Sequence, residues 1–144
     1  MFFPLLIFIS SFIHSTLTLN GYADSMGTAV LISLSSSVQG KIDNGGDQDY
    51  YKVQLVAGRT YWFTMQSLNP PSPTFDNQLF LYGPTGTQLA VVDDAIDKNA
   101  QIKYTAATTD YYFIRAQAYY DYHSGTYVFA AMDVNSCSSA CTSL

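Results

Sequence analysis

Apolar and polar residues alternate with a period of two through most of this chain, and turn-forming residues interrupt the alternation roughly every 8 to 12 positions. Tyr51, Val53 and Leu55 share one face of an early stretch, and the same spacing resumes after a tight turn at residues 57–59. Side chains on a strand point alternately to its two faces, so the pattern predicts strands that each have one buried face.

The alternation predicts about eight short strands, and no stretch has the 3.6-residue periodicity of an amphipathic helix. We interpret the strands on either side of residues 57–59 as a hairpin, and we expect 88–92 to pair back on 78–82. Two layers of such strands would bury the in-phase aromatic side chains, so the predicted fold is an all-β, antiparallel, jelly-roll-like β-sandwich. The predicted strands are 38–42, 50–56, 60–66, 78–82, 88–92, 101–105, 110–118 and 125–132.

The acidic residues are all of one kind, because all 11 are Asp and the chain contains no Glu. Glu favours helices, whereas Asp favours turns, caps and metal-binding loops, so this bias agrees with strands joined by Asp-rich turns. The net charge is −5 and the six Lys and Arg residues are scattered. Nucleic-acid binding depends on neutralising phosphates, so it is not expected, whereas a cation is a suitable partner for an acidic surface.

Residues 1–19 form a separate apolar leader, and the first charged side chain of the sequence is that of Asp24. The apolar run is shorter than the roughly 20 residues that a membrane-spanning helix needs. We interpret it as a secretory signal or hydrophobic anchor, although no Lys or Arg follows Met1; a first strand of a larger protein is the alternative. We therefore predict a secreted, extracellular domain over residues 20–134, without a membrane span, and a tail over 135–144.

The two cysteines, Cys137 and Cys141, both lie in this tail. In an exported protein they could close a small disulfide loop, and two unpaired thiols are the alternative. A zinc site is not expected, because no second pair of ligands lies at a suitable spacing.

Common catalytic and nucleotide-binding motifs are absent, since the sequence contains no GxSxG, HExxH, GxxxxGK or GxGxxG. His123 is the only histidine after the leader. A small hydrolase that uses His123 and Asp side chains is a third interpretation, but the prediction is that the chain is not an enzyme.

An Asp- and Gly-rich turn at residues 43–49 is the first candidate site. Oxygen ligands at short spacing suit a hard cation such as Ca²⁺. Asp47 and Asp49 would point the same way on a strand, and two such carboxylates repel unless a cation or hydrogen-bond donors lie between them. Asp43 is a further candidate ligand, and an ordinary solvated turn is the alternative.

A second candidate site is the turn that contains Tyr119, Tyr120, Tyr122 and His123. Exposed aromatic side chains on loops commonly anchor sugars and proteins, so we predict a ligand-binding role for these residues. In the alternative interpretation, alternate tyrosines complete the core and the others shield sheet edges.

Seven segments in order resemble motifs of the bacterial pre-peptidase C-terminal (PPC) domain family, to which the collagen-binding domains of clostridial collagenases are related. The likeness spans residues 20–133, and one of its motifs, GDxDWFxV, corresponds here to GDQDYYKV at residues 46–53. The other segments are NGYADS at 20–25, VQGKI at 38–42, LVAGRTY at 55–61, LFLYGPTG at 79–86, the acidic pair at 93–94 and GTY at 125–127.

The resemblance implies a non-catalytic β-sandwich that accompanies secreted hydrolases and often binds Ca²⁺. Carried over by position, Asn20, Asp24, Asp47 and Asp49 would hold the ion, with the acidic pair Asp93 and Asp94 as further candidates. The sequence departs from the pattern at Asn20 and the following Gly, where family members often carry acids.

The implied function is that of an accessory domain which assists the stability, secretion or substrate attachment of a secreted peptidase or another hydrolase. A stand-alone module that binds extracellular carbohydrate or matrix protein is the alternative.

Overall fold

The computed structural model describes residues 23–68, 75–93, 99–120 and 123–136, and within them the chain forms nine strands. The all-β prediction is confirmed, and the additional strand is the short β1, which lies upstream of the first predicted one. Two short 3₁₀ turns, Met26–Thr28 and Val134–Ser136, flank the strands. The strands are β1 (Val30–Leu31), β2 (Ser36–Ile42), β3 (Gln48–Leu55), β4 (Thr60–Ser67), β5 (Asn77–Tyr82), β6 (Gln88–Val92), β7 (Ala100–Thr105), β8 (Asp110–Ala118) and β9 (Gly125–Asp133).

Several predicted residues lie outside this described part of the chain. They are the leader 1–19, Asn20, Asp94, Tyr122, Cys137 and Cys141.

The strands form two layers, a five-stranded sheet in the order β1-β3-β8-β5-β6 and a four-stranded sheet in the order β2-β9-β4-β7. Neighbouring strands are antiparallel except β1 and β3, which pair in parallel. The predicted pairing of β5 with β6 is confirmed, with a bulge between Leu81 and Tyr82. Gly86, whose φ is +82°, occupies a turn position that favours glycine.

The predicted hairpin of β3 and β4 is wrong, because the two strands belong to different sheets. Their connection crosses from one layer to the other and forms two hydrogen bonds with the β7–β8 connection. The N–H of Gly58 donates to the carbonyl of Ala106 at 2.8 Å, and the N–H of Ala106 donates to the carbonyl of Arg59 at 3.0 Å. A period-two pattern shows which face is buried but not whether the next strand pairs beside it or faces it across the core.

The core lies between the two sheets and consists of the inward-facing residues of their strands. The prediction that the in-phase aromatic residues are core residues is confirmed for the fully buried Tyr51, Tyr61, Phe63, Tyr127 and Phe129. The rings of Tyr51 and Phe129 stack across the layers at 4.6 Å between centroids.

Gly40 on β2 makes room for one of these rings. A Cβ atom at Gly40 would lie 2.3 Å from Cζ and 2.4 Å from the hydroxyl oxygen of Tyr127, which is closer than real contacts allow. The ring of Tyr127 therefore occupies the space in which a side chain of β2 would otherwise stand.

The candidate residues from the sequence gather at one end of the sandwich, which we call the loop end. The β2–β3, β4–β5, β6–β7 and β8–β9 connections meet at this end. In one sheet Gln48 and Gln78, near the starts of β3 and β5, both pair with Gln117 near the end of β8, and in the other Ser67, at the end of β4, pairs with Tyr127 near the start of β9. The described candidates at or beside this end are Asp24, Asp43, Asp47, Asp49, Asp93, Tyr119, Tyr120 and His123.

We expect Gly40→Ala to lower the free energy of unfolding by about 3 kcal/mol, because the added methyl group must displace the buried ring of Tyr127. Urea denaturation of both proteins measures the change. Gly27→Ala is the control, since its Cβ would meet its nearest neighbour at 4.0 Å, and it should change stability by no more than about 0.5 kcal/mol. Equal stabilities of the Gly40→Ala variant and the wild type would contradict the packing described here.

Candidate functional site

The β2–β3 connection folds into a corner that is held by its own polar groups. The carboxylate of Asp47 accepts a hydrogen bond from the N–H of Asp43 at 2.7 Å, and the N–H of Asp47 donates to the carbonyl of Asn44 at 3.2 Å. Gly46, with φ of +87°, supplies the left-handed backbone conformation that this turn requires. The predicted Asp- and Gly-rich turn is thus an ordered structure that presents oxygen atoms.

The N-terminal segment is attached to the same corner through the backbone. The N–H of Tyr50 donates to the carbonyl of Ala23 at 3.1 Å, and this bond places the next residue, Asp24, beside the β2–β3 connection. Asp24 and residues 44–48 line an open polar cavity of about 350 Å³. The structure therefore brings Asp24 and Asp47, two of the four residues carried over from the resemblance, to one cavity beside Asn44 and Gln48.

Asp49 is directed into the protein rather than into this cavity. It is 1% exposed, and it accepts a hydrogen bond from the hydroxyl of Tyr127. The hydroxyl of Tyr127 is in turn 2.6 Å from that of Tyr51. The alignment of Asp49 with the inward-facing Tyr51, two residues further along β3, explains this orientation.

The electrostatic environment of Asp49 links it to the cavity. Burial raises the pKa of its carboxyl to about 7; the hydrogen bond from Tyr127 opposes this rise, and the charges of Asp47, Asp24 and Asp43 add to it. Negative charges at the corner thus act on a carboxyl group that lies just beneath them. A cation in the cavity would counteract that repulsion.

The remaining acidic candidates do not line the cavity. Asp43 forms an exposed ion pair with Lys41 at 2.5 Å, and Asp93 directly follows β6 at the loop end. Within residues 23–68, 75–93, 99–120 and 123–136, no three His, Cys, Asp or Glu side chains stand close enough to hold a metal ion. A cation here would therefore depend on two carboxylates together with amide or carbonyl oxygens, a ligand set that suits Ca²⁺ at modest affinity.

The aromatic turn exposes the two of its tyrosines that the structure describes. Tyr119 and Tyr120 are 43% and 45% exposed, their rings meet edge to face at 4.7 Å, and His123 packs against Tyr120 at 5.3 Å. The turn is held by the N–H of His123, which donates to the carbonyl of Tyr120 at 3.0 Å. These two tyrosines do not complete the core, which leaves ligand binding and the shielding of a sheet edge as their two interpretations.

Two polar arrangements at the loop end were missed by the sequence analysis. One is the hydrogen bond from Tyr127 to Asp49. The sequence identified the GTY segment that contains Tyr127 but not the residue to which its hydroxyl donates. The other is the pair of Asn77 and Asn99, whose side-chain oxygens both accept backbone hydrogen bonds. Oδ1 of Asn77 accepts from the N–H of Ala100 at 2.7 Å, and Oδ1 of Asn99 accepts from the N–H of Ser67 at 3.0 Å. Nδ2 of Asn77 donates to Asn99 at 3.2 Å, so this pair joins β4, β5 and β7.

Solved structures with the same fold include a collagenase domain and a periplasmic lysozyme inhibitor. The pre-peptidase C-terminal domain of a collagenase from Bacillus anthracis superposes with a TM-score of 0.60 at 15% identity, covering 78% of this chain and 99% of that domain. PliG of Aeromonas hydrophila, a periplasmic inhibitor of g-type lysozyme, superposes with a TM-score of 0.52 at 13% identity, covering 73% and 96%. The predicted PPC-like fold is therefore confirmed.

Sequence comparison adds no relative to these. No protein-family profile matches the chain, and no curated protein sequence does. Within the described part of the chain, no helix has the length and apolar character that crossing a membrane requires.

The pKa of Asp49 predicts how stability depends on pH when no cation is bound. Its pKa rises from 3.8 to about 7 on folding, so the folded state keeps a proton that the unfolded state releases. The proton's contribution to the free energy of unfolding is present in full below about pH 4 and is lost as the pH rises to about 7. The loss is up to about 4 kcal/mol, because each pKa unit corresponds to about 1.4 kcal/mol.

Urea denaturation between pH 4 and 8 with a chelator measures this loss, and Asp49→Asn isolates it, because Asn accepts the same hydrogen bond from Tyr127 without a charge. We expect the variant to show a flatter pH dependence than the wild type. Parallel curves for the two proteins would show that Asp49 does not titrate in this range.

Proposed function

We propose that this chain, with its PPC-like fold, is a non-catalytic accessory domain in which Ca²⁺ fixes the N-terminal segment against the β2–β3 corner. The observation that carries the proposal is that Asp24 and Asp47, distant in sequence, line one cavity above the buried Asp49. An ion in that cavity would connect the start of the described chain to the sandwich and stabilise the folded state.

The chemistry of the cavity favours Ca²⁺ over softer metals. The residues that line it carry the carboxylates of Asp24 and Asp47 and the amide oxygens of Asn44 and Gln48, the last of which also accepts a hydrogen bond from the hydroxyl of Tyr50 at 3.3 Å. Hard cations with flexible coordination prefer such donors, whereas zinc and copper prefer sulfur and imidazole nitrogen.

An accessory role in an exported setting fits these observations. The two similar structures come from a collagenase domain and a periplasmic inhibitor, and residues 1–19 have the character of a secretory leader. The partner in this proposal is a secreted peptidase or another hydrolase, which the domain stabilises, helps to export or holds to its substrate.

A second candidate function, a module that binds extracellular carbohydrate or matrix protein, is favoured by the exposure of Tyr119 and Tyr120. Rings that are held edge to face and left open to solvent can pack against a sugar or a protein side chain with little loss of conformational freedom.

Calcium at ten times its Kd is expected to stabilise the protein by about 1.4 kcal/mol, which raises the Tm by about 5 °C or more. Thermal melts with calcium and with a chelator measure this shift. Asp24→Asn and Asp47→Asn should each remove most of it, because each deletes one of the two carboxylates that line the cavity.

Asp110→Asn is the matched control, because Asp110 is an exposed aspartate at the opposite end of β8. It should keep the full calcium shift. The calcium proposal fails if a folded wild-type sample shows no shift at millimolar calcium, or if all three variants respond alike.

Binding through the aromatic turn is tested by pull-down on insoluble polysaccharides and on collagen. Tyr119→Ala and Tyr120→Ala should reduce retention at least about fivefold while leaving the Tm nearly unchanged, because both rings are exposed. Val56→Ala, which removes an exposed apolar side chain just beyond the other end of β3, is the control. Retention that is identical in all four proteins would eliminate the turn as a binding site.

A further inference from the structure

The outer face of the five-stranded sheet differs from that of the four-stranded sheet in its exposed apolar side chains. Of the seven exposed large apolar residues in the described chain, four lie on strands of the five-stranded sheet and none on strands of the other. They are Leu31 on β1, Tyr111 on β8, and Leu89 and Val91 on β6. These side chains give the outer face of this sheet apolar surface that the strands of the other sheet lack.

Two cations stand on this outer face without a carboxylate. The guanidinium of Arg115 lies 3.7 Å from the ring centre of Phe80, and Nζ of Lys52 lies 5.9 Å from that of Tyr111. Neither cation forms an ion pair within the described residues, whereas Lys41 pairs with Asp43. The aromatic rings hold both cations in place and leave their charge available to a partner.

Among the described residues, no acidic side chain that lies on a strand of this sheet faces outward with these cations. The strands of this sheet contain two aspartates, of which Asp49 is buried toward the core and Asp110 lies in phase with the buried Tyr112. On its strands, the outer face therefore carries the two positive charges of Lys52 and Arg115 and no negative one, whereas Asp76 and Asp93 adjoin it at the loop end, in a chain whose net charge is −5. A face-to-face pair of two copies would bring like charges together, so charge complementarity favours an anionic partner.

A row of amide side chains lies beside Arg115. Gln48, Gln117 and Gln78 lie side by side across β3, β8 and β5, and Nε2 of Gln117 donates to Oε1 of Gln78 at 3.0 Å. Oε1 of Gln117 and Nε of Arg115 are shielded from solvent and have no hydrogen-bond partner among the described residues. Both side chains are only partly buried, so this acceptor and this donor can turn toward a ligand.

We propose that the outer face of the five-stranded sheet binds an acidic polysaccharide, whose carboxylates pair with Arg115 and Lys52. Sugar hydroxyls both donate and accept, so they satisfy the open groups of Arg115 and Gln117 together, and sugar rings pack on aromatic and aliphatic side chains. Arg115 and Lys52 belong neither to the cation cavity nor to the aromatic turn, and Gln48 is the residue that this surface shares with the cavity.

The probe is polygalacturonate, a polymer of uronate sugars, and affinity electrophoresis of the full chain measures its binding. A chelator is present so that calcium cannot bridge the polymer to the Asp24 cavity. We expect binding at low salt that weakens in 0.5 M NaCl, and no binding to the neutral polymer pullulan.

Lys52→Gln and Lys103→Gln form a matched pair. Each lysine lies 5.9 Å from an aromatic ring centre, over Tyr111 and Trp62 respectively, but Lys103 stands on the outer face of the four-stranded sheet. Lys52→Gln and Arg115→Gln should each weaken binding by about tenfold, because each removes a charged partner of a carboxylate. Lys103→Gln should change it less than about twofold.

Three outcomes overturn the proposal: polygalacturonate is not bound, Lys103→Gln weakens binding as much as Lys52→Gln, or polyglutamate of equal charge binds as tightly. The last outcome would identify a charge-driven site for acidic peptides. If Arg115→Gln does not fold, the comparison of Lys52→Gln with Lys103→Gln still tests the proposal, because both substitutions alter partly exposed side chains. The calcium melts are unaffected by any of these results.

Discussion

The hydrogen bond between Tyr127 and Asp49 connects the two sheets of this domain at the end where the candidate sites lie. Asp49 and Tyr51 belong to the five-stranded sheet and Tyr127 to the four-stranded sheet, and the three polar tips meet in a region closed to water. A buried carboxyl group is costly unless hydrogen-bond donors surround it, so the position of each tyrosine is constrained. The same constraint requires glycine at position 40, because the Tyr127 ring fills the space above β2.

This buried group also explains why the corner above it suits a cation. Asp24, Asp43 and Asp47 all act on the pKa of Asp49, so charge at the surface and charge in the interior are coupled. A folded chain can reduce the resulting repulsion by retaining a proton on Asp49 or by holding a cation outside it. The backbone hydrogen bond from Tyr50 to Ala23 places the first described residues, which include Asp24, where they can help to hold such a cation.

The sequence predicted the strands and the core well, because period-two alternation reports directly which side chains are buried. It failed on the pairing of β3 with β4, since two strands that face each other across a core show the same alternation as two that lie side by side. The corner at Asp47 was found through its turn residues and the motif resemblance. The Asn77–Asn99 pair and the role of Tyr127 were not found, because both depend on contacts between segments that no local pattern encodes. The exposure of Tyr119 and Tyr120 required the structure for the same reason.

Among the described residues, the edge strands of the five-stranded sheet differ in length, and this limits how copies of the domain can join through it. An edge strand presents free backbone N–H and C=O groups to which another strand can add. β1 has only two residues, so this edge offers too few groups to guide a neighbour, whereas β6 has five uncharged residues. Copies that joined through this sheet would use β6 on both sides and form a closed two-fold pair. Growth of a continuous sheet into a fibre would stop there, because β1 terminates it.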